Sequence, residues 1–495
     1  MANGTCRFSQ VIGATERRKG YGFVNVAPRP CHDCAIAGKG GHAMTQTKHD
    51  VVVIGAGLSG LRAAQLLADE FDVCVLEARD RVGGRAMAHT FANGDTVDVG
   101  GQWVGPGQDR LYTLIEAEGR SVYPLHDDGD RLMLNRGRLS RYTGTIPKLA
   151  PHVLANVHLM MSGFDALAAQ IDPVSPWLHP KAALWDSMTV AEWMRRKAWS
   201  RDAFDLFAVG IGAVFAAEPH EISLLHGLFY ARAGTSLDNL VSTTGGAQQD
   251  RVHGDMAGLA RGIADGLGER VRLSSAVRTI RWTDEGVELD TATGSLAARR
   301  AILALPPNQA MRIDWDPVLP AAKSGLWLRM PPGACIKCVA QYDTPFWRDS
   351  GLAGQAVAPQ LDVRVTFDNT EAGKSAGQLL GFIEGDQARL WATRDPQERR
   401  AAVLEAFAGC YGEQALHPID YVDQDWTSEV WSRGCYAALM GPGVWTGHGA
   451  HLRTPLGPVH MAGTETASQY YGYFEGALEA AERAVSEVRA ALENG

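Results

Sequence analysis

The chain reads as α/β, with a parallel-sheet domain assembled from separated segments and an α+β domain inserted into it. Three observations predict this. Residues 50–85 carry a complete strand–turn–helix–strand unit. Strand-like segments of the same buried type return in the middle and near the end of the sequence. At 495 residues, the chain exceeds one ordinary hydrophobic core, so two domains are expected.

The unit opens with Val51-Val52-Val53-Ile54, the unbroken β-branched run of a strand buried on both faces. Gly55-Ala56-Gly57-Leu58-Ser59-Gly60 follows as a G-x-G-x-x-G turn. In such a turn Gly55 permits the tight bend, Gly57 lets backbone approach a pyrophosphate, and Gly60 lets helix lie close to strand. Leu58–Ala68 reads as the helix, its N–H groups and dipole aimed at phosphates. Val73–Leu76 is the second strand, ending in Glu77, where an acidic side chain takes ribose hydroxyls. A lone glycine pattern is weak evidence, but here every part stands in the required order. Arg79-Asp80-Arg81-Val82-Gly83-Gly84-Arg85 adds guanidiniums and glycine backbone donors just beyond Glu77. That run suits a doubly contacted pyrophosphate and resembles the flavin version of this Rossmann-like motif, so the cofactor is read as FAD.

Composition excludes several classes. The chain is 45% hydrophobic and 21% charged with a net charge of −9, so it carries no nucleic-acid footprint. No apolar run reaches membrane-spanning length. Eight cysteines do not make a disulfide scaffold in this length, and Cys74 inside a buried strand suits a reducing cytoplasm. Residues 1–47 are basic, glycine-rich and aperiodic, and read as a disordered or mis-started extension, with Met44 a plausible start. Arg17-Arg18 lacks a following apolar segment, so no export signal is read. Cys31-His32-Asp33-Cys34 lacks a second ligand pair, so no metal is expected.

Further along, residues 96–105 read as a strand ending at Gly100-Gly101, and Asp109–Glu118 as a helix. Residues 120–247 read as helices and loops, with helical spacing over 153–171 and 190–215, and residues 250–267 as a helix. Strands are expected over 271–289 and at Ala301–Leu305, Cys335–Tyr342, Leu379–Ile383, Ile419–Tyr421 and Val459–Met461, with a closing helix from Gly476. The expected cofactor domain is 48–122, 253–326 and 429–495. The expected substrate domain is 123–252 and 327–428.

Four blocks resemble the flavin-containing amine oxidases, the monoamine oxidases above all. They are the front block to Val104, Gly333-Ala334-Cys335-Ile336-Lys337-Cys338 running to Trp347, Trp431–Tyr436, and Gly463–Ala467 running to Ala477. The resemblance spans roughly 50–491 and implies that family's two-domain architecture. It implies that Lys337 holds a water against flavin N5, and that Tyr436 and Tyr473 form an aromatic cage aligning the amine. It further implies cofactor contacts at Gly55, Gly57, Ser59, Gly60, Glu77, Arg79, Gly84, Arg85, Gly101, Gln102, Trp103, Trp426, Trp431, Gly463 and Phe474. Val277 would meet the adenine through its backbone, and Glu465 the ribityl chain.

Cys435 matches the cysteine that carries covalent flavin in the monoamine oxidases, although family members with this cysteine also hold FAD without a bond. Val241, Gln248 and Phe382 align with substrate-lining positions, where plain packing between domains is an equal reading. Cys335 and Cys338 fall on opposite faces of a strand, so no redox role is read into their spacing. Two departures stand out: Arg433 where the animal enzymes show glycine, and Tyr470-Tyr471 where Trp-Ser is usual. The implied activity is FAD-dependent oxidation of an amine, with oxygen as acceptor and hydrogen peroxide as product. Alternatives are an L-amino-acid oxidase, for which no pocket arginine can be placed, a flavin desaturase, and a non-catalytic FAD-binding protein. A homodimer is an assembly open to such a chain.

Overall fold

The computed structural model describes residues 48–144, 147 and 149–493. The expected extension at 1–47 falls outside the described residues.

Strand β1 (Lys48–Ile54), helix α1 (Leu58–Leu67) and strand β2 (Val73–Leu76) form the expected unit. β1 is central because its residues from Val51 to Ile54 carry only apolar side chains. It pairs in parallel with β2 on one side and with Gly294–Leu303 on the other. The eight-stranded sheet runs Val271–Arg272, β2, β1, Gly294–Leu303, Gly286–Thr291, Val277–Thr283, Asp314–Asp316, and Val459–Met461 adds in parallel to Gly294–Leu303. Front, middle and late segments thus meet in one sheet. Helix α1 packs with the closing helix Phe474–Glu493, whose Leu478, Ala481, Ala484, Val485, Val488 and Leu492 are buried in the same cluster.

A second, seven-stranded sheet runs Asp420–Asp425, Cys335–Tyr342, Gly377–Glu384, Val363–Asp368, Leu352–Val357, Asp130–Asn135, Arg138–Tyr142. Helices Pro151–Ala168, Val190–Lys197, Arg201–Phe215, Leu224–Ala233 and Leu237–Val241 follow in the chain, and buried side chains from all five share one cluster with Val52 and Ile54 of β1. Local chemistry sets their starts. Thr189 and Glu192 form a capping box, and the hydroxyls of Ser200, Ser223 and Ser236 each accept from a first-turn N–H.

Several expectations are corrected. The segment 96–105 is two short strands, Thr96–Asp98 and Trp103–Val104, broken where Val99 and Gly100 donate back to Met87 O. The helical stretch 190–215 is two helices separated at 198–200. Residues 250–252 are not helical: Asp250–Val252 is a strand between Trp103–Val104 and Val122–Pro124, and the helix begins at Met256, capped by Asp255. Region 120–247 also contains the hairpin Asp130–Asn135/Arg138–Tyr142, turned by Arg136 and Gly137 at φ 52° and 76°. No helix among the described residues is long and apolar enough to cross a membrane. Among them, no cluster of side chains could hold a metal ion.

Candidate active site and cofactor cavity

The glycine turn packs as tightly as its motif implies. A Cβ on Gly60 would stand 1.9 Å from Gly55 O, and one on Gly84 3.2 Å from Gly57 Cα, so the two glycine turns lie against each other. Gly83 N–H donates to Ala56 O at 2.8 Å and locks them together. At the end of β2 the buried Glu77 carboxylate accepts from Ala56 N–H at 2.8 Å and from Arg79 N–H at 3.0 Å. The Arg79 guanidinium pairs with Glu429 and donates to Ser432 Oγ, leaving its buried Nε without a partner.

These residues open onto one cavity of about 1480 Å³, which reaches from Glu77 and Val277 past Arg85 to Tyr436 and Tyr473. Gly55, Gly57, Ser59, Arg79, Gly84, Gly101, Gln102, Trp103, Lys337, Trp426, Trp431, Cys435, Gly463 and Phe474 line it as well. So do Val241, Gln248 and Phe382. Two expected contacts lie off the wall. Gly60 sits behind it, where helix meets strand. Glu465 is buried behind Arg85, and its carboxylate accepts both guanidinium N–H groups at 2.6 and 3.0 Å. Each Glu465 oxygen thus accepts one bond from Arg85, which also donates to Tyr436 O at 2.6 Å.

Lys337 is buried in its strand and points into the cavity, not outward. Its ammonium donates to Gly100 O at 2.8 Å and Gln102 Oε1 at 2.6 Å. Gln102 in turn donates to Asn369 Oδ1 at 2.8 Å. Burial pushes Lys337 down to about 7, opposed by the nearby Asp98 carboxylate, which burial pushes up to about 6. Trp103 and Phe382 flank the ammonium at 5.9 Å. Cys335 and Cys338 belong to the cores on the two sides of their strand, as expected.

Tyr436 and Tyr473 both line the cavity, and each ring packs on its own neighbours: Tyr436 edge-on to Phe382, Tyr473 on Tyr230 and Tyr470. The Tyr436 hydroxyl donates to Glu384 Oε1 at 3.0 Å. Trp426 is fixed by donation to Val99 O at 2.9 Å, and Arg312 lies 5.0 Å over the Trp431 ring. Arg433 has φ 58°, the left-handed region that glycine enters freely, so the arginine is accommodated at a backbone shape suited to the animal enzymes' glycine. Tyr470 also has positive φ, at 46°, and its hydroxyl donates to Pro106 O at 2.9 Å.

Residues 58–489 match the model of the flavin containing amine oxidoreductases. The chain belongs to this family. It is 39% identical over 444 residues to a Mycobacterium tuberculosis protein provisionally named flavin-containing monoamine oxidase AofH, covering 90% of this chain and 97% of that one. Among solved structures, putrescine oxidase bound to putrescine aligns with a TM-score of 0.87 at 32% identity, over 90% of this chain and 99% of that one. Cyclohexylamine oxidase from Brevibacterium oxydans IH-35A aligns with a TM-score of 0.86 at 34% identity, over 90% and 99%. The protein is thus an FAD-dependent amine oxidoreductase of the amine-oxidase fold.

FAD fits the residues present. A crossed pair of glycine turns, the N-terminus of a ten-residue helix, and a buried carboxylate at the second strand line one end of the cavity. Trp426, Cys435 and the two tyrosines line the other. Glu384 was missed from the sequence. Its signal was available: it lies two residues beyond Phe382 in a strand, hence on the same face.

Proposed function

We propose that this amine oxidoreductase deaminates a primary amine oxidatively, giving an imine that water hydrolyses to a carbonyl compound, with oxygen reduced to hydrogen peroxide. The observation that carries the reading is the convergence of buried Lys337, Tyr436 and Tyr473 on the same cavity that holds Glu77. Bound FAD supplies the hydride-accepting chemistry and the reaction with oxygen. Glu77 takes ribose hydroxyls, and the first turn of α1 with Gly57 and Gly84 takes the pyrophosphate. Val277 meets the adenine. Lys337 holds a water where the redox centre lies, its position set by Gly100 O and Gln102. Tyr436 and Tyr473 align the neutral amine, while Val241, Gln248 and Phe382 shape its pocket and exclude water. Cys435 is the thiol for a covalent link, should the flavin be attached. The buried free thiols of Cys74, Cys335, Cys338, Cys410 and Cys435 support a cytoplasmic enzyme. A homodimer is part of the same reading.

Arginine usage favours amines over amino acids. Of the five cavity arginines, Arg131 is clamped by Asp127 at 2.6 Å, Arg85 by Glu465 at 2.6 Å and Arg79 by Glu429, and Arg312 donates to Gln309 Oε1 and Val430 O; Arg278 adjoins Val277, the residue assigned to the adenine. A panel of primary amines and L-amino acids, read by peroxide formation and anaerobic flavin bleaching, tests the proposal. Bleaching by L-amino acids alone, or by nothing in the panel, would remove it.

A further inference from the structure

An ordinary aliphatic amine has a pKa close to that of lysine, ~10.4, so only about one molecule in a thousand is neutral at pH 7.4. Oxidation at the α-carbon draws on the nitrogen lone pair, so the bound ammonium has to lose a proton. The two cavity tyrosines differ in a way that bears on this step. Tyr436 donates its hydroxyl proton to Glu384 Oε1 at 3.0 Å. Among the described residues, the Tyr473 hydroxyl has no such carboxylate partner; its ring meets Tyr230 and Tyr470.

Glu384 is the last residue of the strand Gly377–Glu384, 2% exposed, and it lines the cavity. Its second oxygen, Oε2, is buried without a hydrogen-bond partner. A buried carboxyl with one unmet oxygen is costly as a purely structural group. We propose that Glu384 is the proton acceptor for the substrate ammonium, reached through the hydroxyl of Tyr436. The ammonium's N–H bond breaks as its proton passes to the phenol oxygen. The phenol's own O–H bond breaks as that proton passes to Glu384 Oε1. The products are a neutral amine, an unchanged phenol and a neutral carboxylic acid, with no net charge created in the cavity.

The surroundings suit a group that holds and gives up a proton near neutrality. Burial raises Glu384 to about 7, whereas the Tyr436 hydrogen bond and the Arg364 guanidinium act to lower it, and Glu218 raises it again. Arg364 is itself held by Glu218 at 3.1 Å. Cys335 sits directly across the strand pair from Glu384, and its Sγ is 3.8 Å from the Tyr436 hydroxyl. Burial raises the Cys335 thiol, so it stays protonated and does not compete. Cys435 adjoins Tyr436 in the chain. Lys337, the other cavity group with depressed basicity, directs its ammonium to Gly100 O and Gln102 Oε1.

The inference rests on the amine-oxidation reading, and two measurements keep the two apart. The first uses tert-butylamine, which has no α-hydrogen and cannot be oxidised. Its binding to the flavin-loaded enzyme at pH 8 is followed calorimetrically in buffers of different ionisation heat, which counts protons released. Wild type should release close to none, because Glu384 keeps the proton. Glu384→Gln should approach one proton released per amine, whereas Tyr436→Phe, which keeps the acceptor and removes only the relay, should leave the count near none. The second is the pH profile of kcat/KM with an oxidisable amine. Carboxylate is the form present above about 7, so the wild-type profile should fall on the acid side there.

Glu384→Gln should lose that limb, fall by ~10²-fold or more at pH 7.4, and return to within a few-fold of wild type near pH 10. A fluorinated amine that is neutral at pH 7.4 should be insensitive to the substitution. Equal proton counts in wild type and Glu384→Gln, or a variant profile parallel to wild type, overturn the proposal. Failure of every amine to be oxidised would overturn the amine-oxidase reading and leave the proton count to judge Glu384.

Discussion

Glu465 offers the sharpest separation between a cofactor contact and a structural ion pair. The Arg85–Glu465 pair is bidentate at 2.6 and 3.0 Å, with side-chain exposures of 24% and 2%. Replacing Glu465 by Leu strands a guanidinium that retains one acceptor, Tyr436 O. Breaking a fully buried pair costs ~3–5 kcal/mol, and the partial exposure of Arg85 reduces this to ~2–3 kcal/mol. In a chain of this size that is roughly 3–6 °C of melting temperature. The double variant Arg85→Met/Glu465→Leu should recover much of the loss, because a neutral pair leaves no buried charge. Thermal unfolding at saturating FAD across the four proteins gives the coupling energy, expected near 2 kcal/mol. The Arg85 variants should also loosen Tyr436, whose carbonyl Arg85 holds, and raise KM for the amine. A melting temperature for Glu465→Leu equal to wild type, with flavin lost instead, would refute the stabilising role of the ion pair and leave the direct cofactor role as the residue's main one.

Three further outcomes follow from the site. Glu77→Ala removes an acceptor buried between two backbone N–H groups and the cavity, and should weaken FAD binding by ~10²-fold, read by flavin fluorescence on dilution. Retention of full flavin occupancy would remove the ribose assignment. Gly60→Ala forces a methyl to within 1.9 Å of Gly55 O, so purified protein should be flavin-free or insoluble; yellow, stable protein would show that the turn can open. Lys337→Met should keep fold and bound FAD but slow one half-reaction in stopped flow, whereas Tyr436→Leu and Tyr473→Leu should slow the reductive half. Wild-type rates in both halves for all three would move the active site elsewhere in the cavity.

The first nucleotide-binding unit was legible because its residues satisfy local and long-range demands together. The β-branched run of β1 wants a strand, and its position between β2 and Gly294–Leu303 buries it on both faces. Where local pattern and burial part company, the sequence misled. Asp250-Arg251-Val252 reads as too charged for a buried strand. It is one because Tyr112 donates to Asp250 at 2.5 Å and Arg251 lies over Tyr123 at 5.4 Å, both partners distant in sequence. The Arg85 partner of Glu465 was likewise out of view, because a motif match gives a residue's place and not its partner.

Glu384 was overlooked because seven buried residues precede it in an apolar strand, where an acid reads as the strand's solvent end. Strand alternation places it beside Phe382, but only the fold brings Tyr436, 52 residues onward, to its carboxylate. An acidic residue ending a two-faced buried strand, two positions beyond a pocket residue, is therefore better read as a cavity group needing a partner than as a surface charge.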